Sequence, residues 1–215
     1  MSIEPRESLF HALQGDIHAL NKKRDRALTS YRKAIDANPG FFYGYLRKGQ
    51  VEFKLKEFPS AHKDLSRSLE LMPTAEAHYM LGMMDKDAGK MDSAMEHFKV
   101  AAQSDSKSGQ QAGRELVLAD LATNPSLYIG SRAAIDDSNN VWIQFGNLTS
   151  VPIKNIEISY AWLDDQGQTR KGSKTYRGPL AGGKQDQIKM GLKLNDASEL
   201  SRRVRVEVTA ASVAE

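Results

Sequence analysis

The chain has 215 residues, of which 40% are hydrophobic and 27% charged, and its formal net charge is +3. This is ordinary globular composition, with room for two small domains. The absence of cysteine excludes disulfides, thiolate catalysis and cysteine-based zinc sites. Positive and negative charges nearly balance in both halves, which does not favour nucleic acid as a partner. No apolar run approaches the ~18 residues of a membrane span, so we predict no membrane insertion by this segment.

Three segments in the first half repeat one pattern. A central glycine is followed twelve positions later by an alanine, and the spacing between equivalent positions is 34 and then 33 residues. The central residues are Gly15, Gly49 and Gly82, followed by Ala27, Ala61 and Ala94 and then by Tyr31, Leu65 and Phe98. Pro39 and Pro73 close the first two segments and stop a helix there.

This spacing resembles the tetratricopeptide repeat (TPR), a helix–turn–helix unit of 34 residues. The resemblance implies three repeats in which small residues let the two helices of each pair approach closely. The sequence departs from the family pattern at several positions. His11 and His78 replace an aromatic residue, and polar residues stand at positions that are often apolar, namely Gln14, Lys48, Glu52 and Asp85.

Residues 108–122 carry an apolar stripe that predicts a capping helix over the open end of the repeats. The stripe consists of Leu116, Leu118, Ala119, Leu121 and Ala122. We therefore predict an all-α TPR superhelix of three repeats plus a capping helix over residues 1–123.

The hydrophobic period changes to two in the second half, which indicates strands with one buried face. The clearest alternation lies at residues 141–145, 156–162 and 204–208, with weaker segments at 127–135, 169–177 and 185–193. Short connections without helices favour an antiparallel sandwich of six or seven strands. Phe145 to Ile153 and the turns at 164–167 and 179–183 resemble small immunoglobulin-like domains of bacterial envelope proteins. We predict that residues 124–215 form such a β-sandwich, which makes the chain an α + β protein of two domains.

Candidate catalytic and metal-ligating residues give no coherent site. His11 and His18 share a helix face but occupy packing positions, and no HExxH motif is present, so we predict no metal site. Residues 178–184 have the glycine and lysine spacing of a phosphate-binding loop. However, Gln185 replaces the expected Ser or Thr and strands flank the segment, so we predict a glycine-rich turn. We expect neither catalysis nor a cofactor in this chain.

A partner-binding groove is the main functional prediction. In the TPR family the first helix of each repeat lines the concave face, so the resemblance places eight residues there: Asp16, Tyr43, Arg47, Gln50, Lys54, Tyr79, Met83 and Lys86. Aromatic residues, methionine and a few charges suit the binding of a protein or peptide. The alternative, that several of these side chains only stack one repeat on the next, stays open. The positions that clamp a chaperone tail carboxylate in related repeats hold Ala12, Asp16, Glu76 and Met80, so we predict no such clamp.

Three segments suggest a more specific family. Residues 4–17, 38–43 and 69–79, followed by a strand domain, resemble the region after the catalytic domain in bacterial TPR-bearing zinc metallopeptidases of the group that includes the CAAX prenyl proteases. The resemblance implies a non-catalytic C-terminal region that recruits substrates or partners, or docks on the catalytic domain. Zinc would then belong to an upstream HExxH domain, and the parent protein would be periplasmic or secreted.

The alternative is a stand-alone TPR adaptor of an envelope or secretion assembly. The first residues lack the apolar stretch of a secretory signal, and we interpret Met1 as either an artificial start or an internal boundary. Localisation, oligomeric state and partner identity therefore do not follow from this sequence alone.

Overall fold

The computed structural model describes residues 5–214. The first four residues, where the predicted helical domain and the segment of family resemblance begin, and Glu215 lie outside this range. The chain divides into a helical unit that ends at Gly113 and a second unit that begins at Arg114. This division falls within a helix, and the predicted domain boundary after residue 123 stays a prediction.

Within the described residues, seven α-helices precede the strands. They are α1 (Pro5–Leu20), α2 (Arg24–Ala37), α3 (Phe42–Lys54), α4 (Phe58–Leu71), α5 (Ala75–Asp87), α6 (Met91–Ala101) and α7 (Lys107–Asp120). The first six form three successive pairs, α1 with α2, α3 with α4 and α5 with α6. Each second helix also contacts the first helix of the next pair, and α3 contacts both α1 and α5. The predicted helix–turn–helix organisation is therefore confirmed, and α2 and α4 end before Pro39 and Pro73, as expected.

The three hairpin turns share one backbone conformation. Lys22, Lys56 and Gly89 occupy equivalent positions of the repeat and have φ values of 58°, 62° and 74°. In each turn the next backbone N–H donates to the carbonyl five residues earlier, at 2.8–3.0 Å, which is the bond that closes a helix at a left-handed residue. The basic cluster around Lys22 therefore lies in a helix–helix corner, as predicted.

Each central glycine makes room for the large side chain sixteen residues later. A Cβ atom built on the glycine would overlap that side chain, at separations that real Cβ atoms do not show. The pairs are Gly15 with Tyr31 (2.4 Å), Gly49 with Leu65 (2.9 Å) and Gly82 with Phe98 (2.7 Å). Tyr31, Leu65 and Phe98 are at most 1% exposed. Tyr31, Leu65 and Phe98 therefore fill the space next to the glycine within their own helix pair.

Six strands form the second unit: β1 (Ile129–Ile135), β2 (Asn140–Asn147), β3 (Ile153–Leu163), β4 (Thr169–Tyr176), β5 (Gln185–Lys193) and β6 (Val204–Val213). A short helix, α8 (Leu200–Arg203), precedes β6. Two antiparallel three-stranded sheets result, with strand orders β1-β2-β5 and β4-β3-β6. All six predicted strand segments are confirmed, and the antiparallel pairing is as expected.

Both sheets contribute to one hydrophobic core, which contains Ile143 and Phe145 of β2 and Ile156 and Ile158 of β3. Val117 of helix α7 and Leu121, which directly follows this helix, also belong to this core. Of the predicted apolar stripe on this helix, Leu121 is buried but Leu118 is 45% exposed. The capping role of α7 on the repeats stays a prediction, whereas its contribution to the core of the second unit is observed.

Candidate partner-binding surface

The predicted groove residues are distributed over the three first helices, α1, α3 and α5, which neighbour one another in that order. Asp16 lies on α1, and Tyr43, Arg47, Gln50 and Lys54 lie on α3. Tyr79, Met83 and Lys86 lie on α5. The repeat places them on these helices because successive first helices stack side by side once each pair packs on the preceding one.

Four of these residues are joined in one hydrogen-bond network. Tyr43 Oη donates to Asp16 Oδ2 and Arg47 Nε donates to Asp16 Oδ1, both at 2.8 Å. Arg47 Nη1 then donates to Gln50 Oε1 at 2.5 Å. The Arg47 guanidinium also lies over the Tyr43 ring, 5.7 Å from its centroid, within the range of a cation–π interaction.

Two further residues belong to the network although the sequence did not assign them to it. Tyr31 of α2 donates from its hydroxyl to Asp16 Oδ1 at 2.8 Å, and Gln50 Nε2 donates to Glu76 Oε1 of α5 at 2.5 Å. Glu76 carries the network from the second helix pair to the third. An acidic residue in the first turn of a helix, such as Glu76, can be recognised from the sequence. Its hydrogen bond to Gln50 cannot, because the two residues are far apart in the chain.

The network carries fixed charges at neutral pH. Burial by itself raises the pKa of Asp16, but hydrogen bonds from Tyr31, Arg47 and Tyr43 outweigh it and hold the pKa below the ordinary 3.8. Burial and the hydrogen bond to Asp16 raise the pKa of Tyr31 far above the ordinary value of a tyrosine. Asp16 and Arg47 are therefore an ion pair, 18% and 23% exposed, surrounded by neutral hydroxyl and amide groups.

The remaining four residues have different environments. Lys54 is exposed, and Met83 and Lys86 are half-buried. Tyr79 packs near Phe98, with ring centroids 6.1 Å apart, and borders the core cluster around Leu65. The network of Asp16 and Arg47 does not extend to Lys54 or Met83 in the hydrogen bonds described for residues 5–214. Tyr79 thus has a packing role in addition to its half-exposed face.

Polar residues that depart from the family pattern find partners inside the helix pairs. Lys48 donates to Glu52 at 2.6 Å and to Asp64 of α4, and these side chains are 15%, 6% and 10% exposed. Burial raises the pKa of Glu52 above its ordinary value, and the nearby charge of Asp64 adds to this against the effect of Lys48. Glu52 Oε2 has no hydrogen-bond partner among the described residues. Lys48 and Glu52 therefore stand at positions that are often apolar in the family because they bind each other and Asp64 inside the helix pair.

A second internal cluster contains His78, one of the two histidines that replace an aromatic residue of the family pattern. His78 Nδ1 and His97 Nδ1 are 3.0 Å apart, and Ser93 donates to Asp85 Oδ2 at 2.6 Å. Burial lowers the pKa of both histidines, so one neutral ring donates to the other at pH 7. In the part of the chain that the structure describes, no group of three or more His, Asp or Glu residues is placed to hold a metal ion.

The glycine-rich segment after β4 is a turn between two strands. It leads from β4 to β5, and a Cβ atom at Gly182 would come within 2.7 Å of the Thr149 carbonyl. Asn147 is 1% exposed, and its amide donates to the carbonyls of Val151 and Leu180 at 2.7 and 3.0 Å. The predicted strand-to-strand turn is confirmed.

No described helix combines the length and apolarity that a membrane crossing requires.

Residues 10–41 match the family model of the tetratricopeptide repeat. The helix pair of α1 and α2 is thus similar to a tetratricopeptide repeat. The match extends from α1 to the beginning of the second pair and confirms the first of the repeats predicted from the glycine and alanine spacing. The matched residues include Asp16 and Tyr31 of the hydrogen-bond network.

One curated relative is a UDP-N-acetylglucosamine–peptide N-acetylglucosaminyltransferase from Giardia intestinalis. It is 37% identical over 59 residues, which are 27% of this chain and 4% of that protein. The chain therefore spans a very small part of this relative, and the transferase activity belongs to that protein.

Similar solved structures include the Arabidopsis OM64 TPR domain, with 18% identity and a TM-score of 0.48 over 52% of this chain and 94% of that one. The first TPR of Spaghetti (RPAP3) bound to an HSP90 peptide has 19% identity and a TM-score of 0.49, over 54% and 95%. The TPR2B–pHsp70 complex of yeast Sti1 has 21% identity and a TM-score of 0.46, over 52% and 90%. Because these TM-scores lie below 0.5, the similarities do not establish what this chain binds.

Proposed function

We propose that the helical unit is a non-catalytic scaffold that binds a protein or peptide segment on the surface of α1, α3 and α5. The observation that supports this is the network from Asp16 through Arg47 to Glu76, which orients partly exposed side chains on all three helices. The tetratricopeptide repeat in residues 10–41 supports an interaction role in general.

Preorganisation is the physical reason why this surface suits binding. Ordering long side chains at an interface costs about 0.5–1.5 kcal/mol each, and the hydrogen bonds of Tyr43, Arg47 and Gln50 remove part of that cost before a partner arrives. Tyr79 and Met83 add half-buried apolar area on α5, which is the type of group that anchors a peptide. Lys54 adds an exposed positive charge to this surface.

The test is a selection of peptides from a random library on the full chain, followed by affinity measurements with fluorescence anisotropy. We expect Met83→Glu and Lys54→Glu to weaken the selected peptides at least about tenfold, an effect typical of a central interface contact. Lys63→Glu, an exposed lysine on α4, is the matched control and should have no effect. If all selected peptides bind these variants as tightly as the parent chain, the surface has been assigned wrongly.

Tyr43→Phe separates binding from packing at the network. This substitution removes the hydroxyl that donates to Asp16 and keeps the ring under Arg47. A direct binding role of the hydroxyl predicts weaker peptide affinity with an unchanged melting temperature, whereas a purely structural role predicts the opposite.

We further propose that this chain is the C-terminal region of a bacterial TPR-bearing zinc metallopeptidase, where it recruits substrate or docks on the catalytic domain. The support is the resemblance of residues 4–17, 38–43 and 69–79. An immunoglobulin-like topology of the second unit belongs to the same proposal, and its two antiparallel sheets around one core are compatible with it. Zinc would lie in the upstream domain, and the protein would be periplasmic or secreted.

The second candidate is a stand-alone adaptor of an envelope or secretion assembly. The reading frame of the gene distinguishes the two. A frame that continues upstream through an HExxH motif supports the metallopeptidase region, and a frame that starts at Met1 contradicts it.

A further inference from the structure

Helix α1 exposes a stripe of large apolar side chains. Its members are Leu9 (48% exposed), Phe10 (58%), Leu13 (50%), Ile17 (57%) and Leu20 (82%). At 100° per residue they lie within one arc of about 100° on the helix surface. The side of α1 that packs in its own pair carries small residues, and Ser8 and Ala12 there are fully buried. The larger apolar groups of this helix thus face away from its own pair.

Some positions of this stripe have buried equivalents on the later first helices, whereas Lys54 and Asp87, which correspond to Leu20, are exposed. Ile17 corresponds to Val51 and Met84, which are 7% and 6% exposed, and Leu13 corresponds to Met80, which is 4% exposed. The stripe, defined as Leu9, Phe10, Leu13, Ile17 and Leu20, therefore includes positions at which later first helices pack on the preceding pair, and it is exposed among the described residues.

Another helix pair packed in the same way does not fit this face. Phe10 corresponds to Gly44 and Ala77, which are both buried. A Cβ atom at Gly44 would come within 3.0 Å of Ile35 and 3.7 Å of Ala34 on α2. The pairs inside this unit thus approach each other at a position without a large side chain, and the phenylalanine ring of α1 blocks that approach.

We infer that the stripe binds the stripe of a second copy of this chain in an antiparallel two-fold dimer. A dyad near Gly15 places Leu13 opposite Ile17 and Phe10 opposite Leu20 of the other copy. Self-association through one identical patch is the commonest form of oligomer, and a stripe of this length is complementary to itself.

The area is sufficient for such a dimer. The exposed fractions of the five stripe residues add up to about three whole side chains. This corresponds to an exposed apolar area on the order of 400 Å² per copy, similar to the largest apolar patches on monomeric proteins. Because about 60% of an interface is apolar, two such patches correspond to a total of roughly 1,300 Å², near the lower limit of stable interfaces. We therefore expect dissociation in the micromolar range.

Charge favours the antiparallel direction. The corner after α1 contains Lys22, Lys23 and Arg24, and a parallel pair would bring the two basic corners together. An antiparallel pair separates them by about 24 Å along the helices and opposes the two helix dipoles. Glu7, in the first turn of α1, then lies toward the basic corner of the other copy.

The experiment measures the molar mass of the full chain by light scattering and sedimentation from low to several hundred micromolar concentration. We expect a concentration-dependent dimer, and Leu13→Glu should weaken it at least about 100-fold because it places two carboxylates in the apolar contact. Leu118→Glu, an equally exposed leucine on α7, is the matched control and should dimerise like the parent. The helical circular dichroism should be the same in all three proteins, since Leu13 is half exposed.

Cysteine substitutions test the direction, because the chain has no cysteine of its own. In the antiparallel dimer the two copies of residue 13 are offset by about 6 Å along the axis and those of residue 20 by about 15 Å. Leu13→Cys should therefore form an interchain disulfide faster than Leu20→Cys, whose two copies lie well beyond the reach of a disulfide. A monomer at every concentration, a dimer that Leu13→Glu leaves intact, or rapid crosslinking at position 20 would each overturn the inference.

Discussion

Gly15→Ala tests the idea that a missing side chain, and not helix flexibility, is the reason for the central glycines. In a helix interior, replacing Gly with Ala normally stabilises by about 1 kcal/mol. At Gly15 the new methyl group would lie 2.4 Å from the Tyr31 ring. That ring is completely buried and its hydroxyl is held by Asp16, so it cannot move without breaking this bond.

The expected change in stability combines two destabilising effects with one stabilising effect. Overpacking costs about 1–3 kcal/mol, and breaking the hydrogen bond to a charged acceptor adds about 1.5–3 kcal/mol. After subtraction of the gain in helix propensity, we expect Gly15→Ala to destabilise the helical unit by about 2–4 kcal/mol. For a unit of this size each kcal/mol lowers the melting temperature by about 4 °C.

The assay is urea and thermal unfolding followed by circular dichroism at the helical minimum, which reports mainly on the helical unit. Gly113→Ala is the control, because its Cβ atom would meet only Ala102, at 4.0 Å. This variant should be as stable as the parent or more stable by up to about 1 kcal/mol. If Gly15→Ala behaves like Gly113→Ala, the steric explanation of the central glycines is wrong.

A double-mutant cycle makes the test specific. In a Tyr31→Leu background the ring is absent, so Gly15→Ala should cost less than in the parent chain by more than about 1 kcal/mol, an interaction energy typical of residues in contact. An additive result would show that the damage at Gly15 does not come from the ring.

Four other predictions concern single residues. Asp16→Asn should cost about 1–2 kcal/mol at pH 7. Because the folded pKa of Asp16 lies below 3.8, this cost should shrink as the pH falls below 3.8 and disappear below the folded value, which urea titrations at a series of pH values from 7 downward can measure. The pKa of Glu52 is raised in the folded state, so ionisation of Glu52 opposes folding. The parent chain therefore loses stability as the pH rises through the raised pKa. Glu52→Gln should not show this loss and should gain stability relative to the parent between pH 4.5 and pH 7. Lys56→Gly should stabilise by about 0.5–1 kcal/mol in thermal unfolding, since a left-handed φ is free of cost only for glycine. Asn147→Ala should destabilise the second unit by about 2–4 kcal/mol because two buried carbonyls lose their donor, and Trp fluorescence can follow this transition.

Much of the fold could be read from local pattern. The spacing of glycine, alanine and proline predicted where α1 to α6 lie. Small residues that recur at a fixed spacing indicate places where the two helices of a pair approach closely. Alternation of apolar residues likewise located all six strands, since the side-chain period of a strand is two. The left-handed turn residues Lys22 and Lys56 were not predictable, because lysine has no preference for that conformation and only Gly89 carries a signal.

The candidate site was predictable only in part. The register of the repeat placed Asp16, Tyr43, Arg47 and Gln50 on first helices, and the structure joins them. The sequence did not assign Tyr31 or Glu76 to the network, because a hydrogen bond between residues 15 or 26 positions apart depends on how the helices stack. The choice between binding and packing stays open for these residues, and Tyr79 also packs near Phe98.

The sequence by itself determined the helix pairs and the strands, because these depend on periodicity over a few positions. Only the tertiary structure decided which polar groups satisfy one another, such as Lys48 with Glu52 and Asp64, since those contacts need the exact separation of two helices. It also decided that the apolar stripe of α1 stays exposed. From sequence alone, Leu13 and Ile17 are as good core candidates as Met80 and Val51, and only the absence of a packed neighbour distinguishes them.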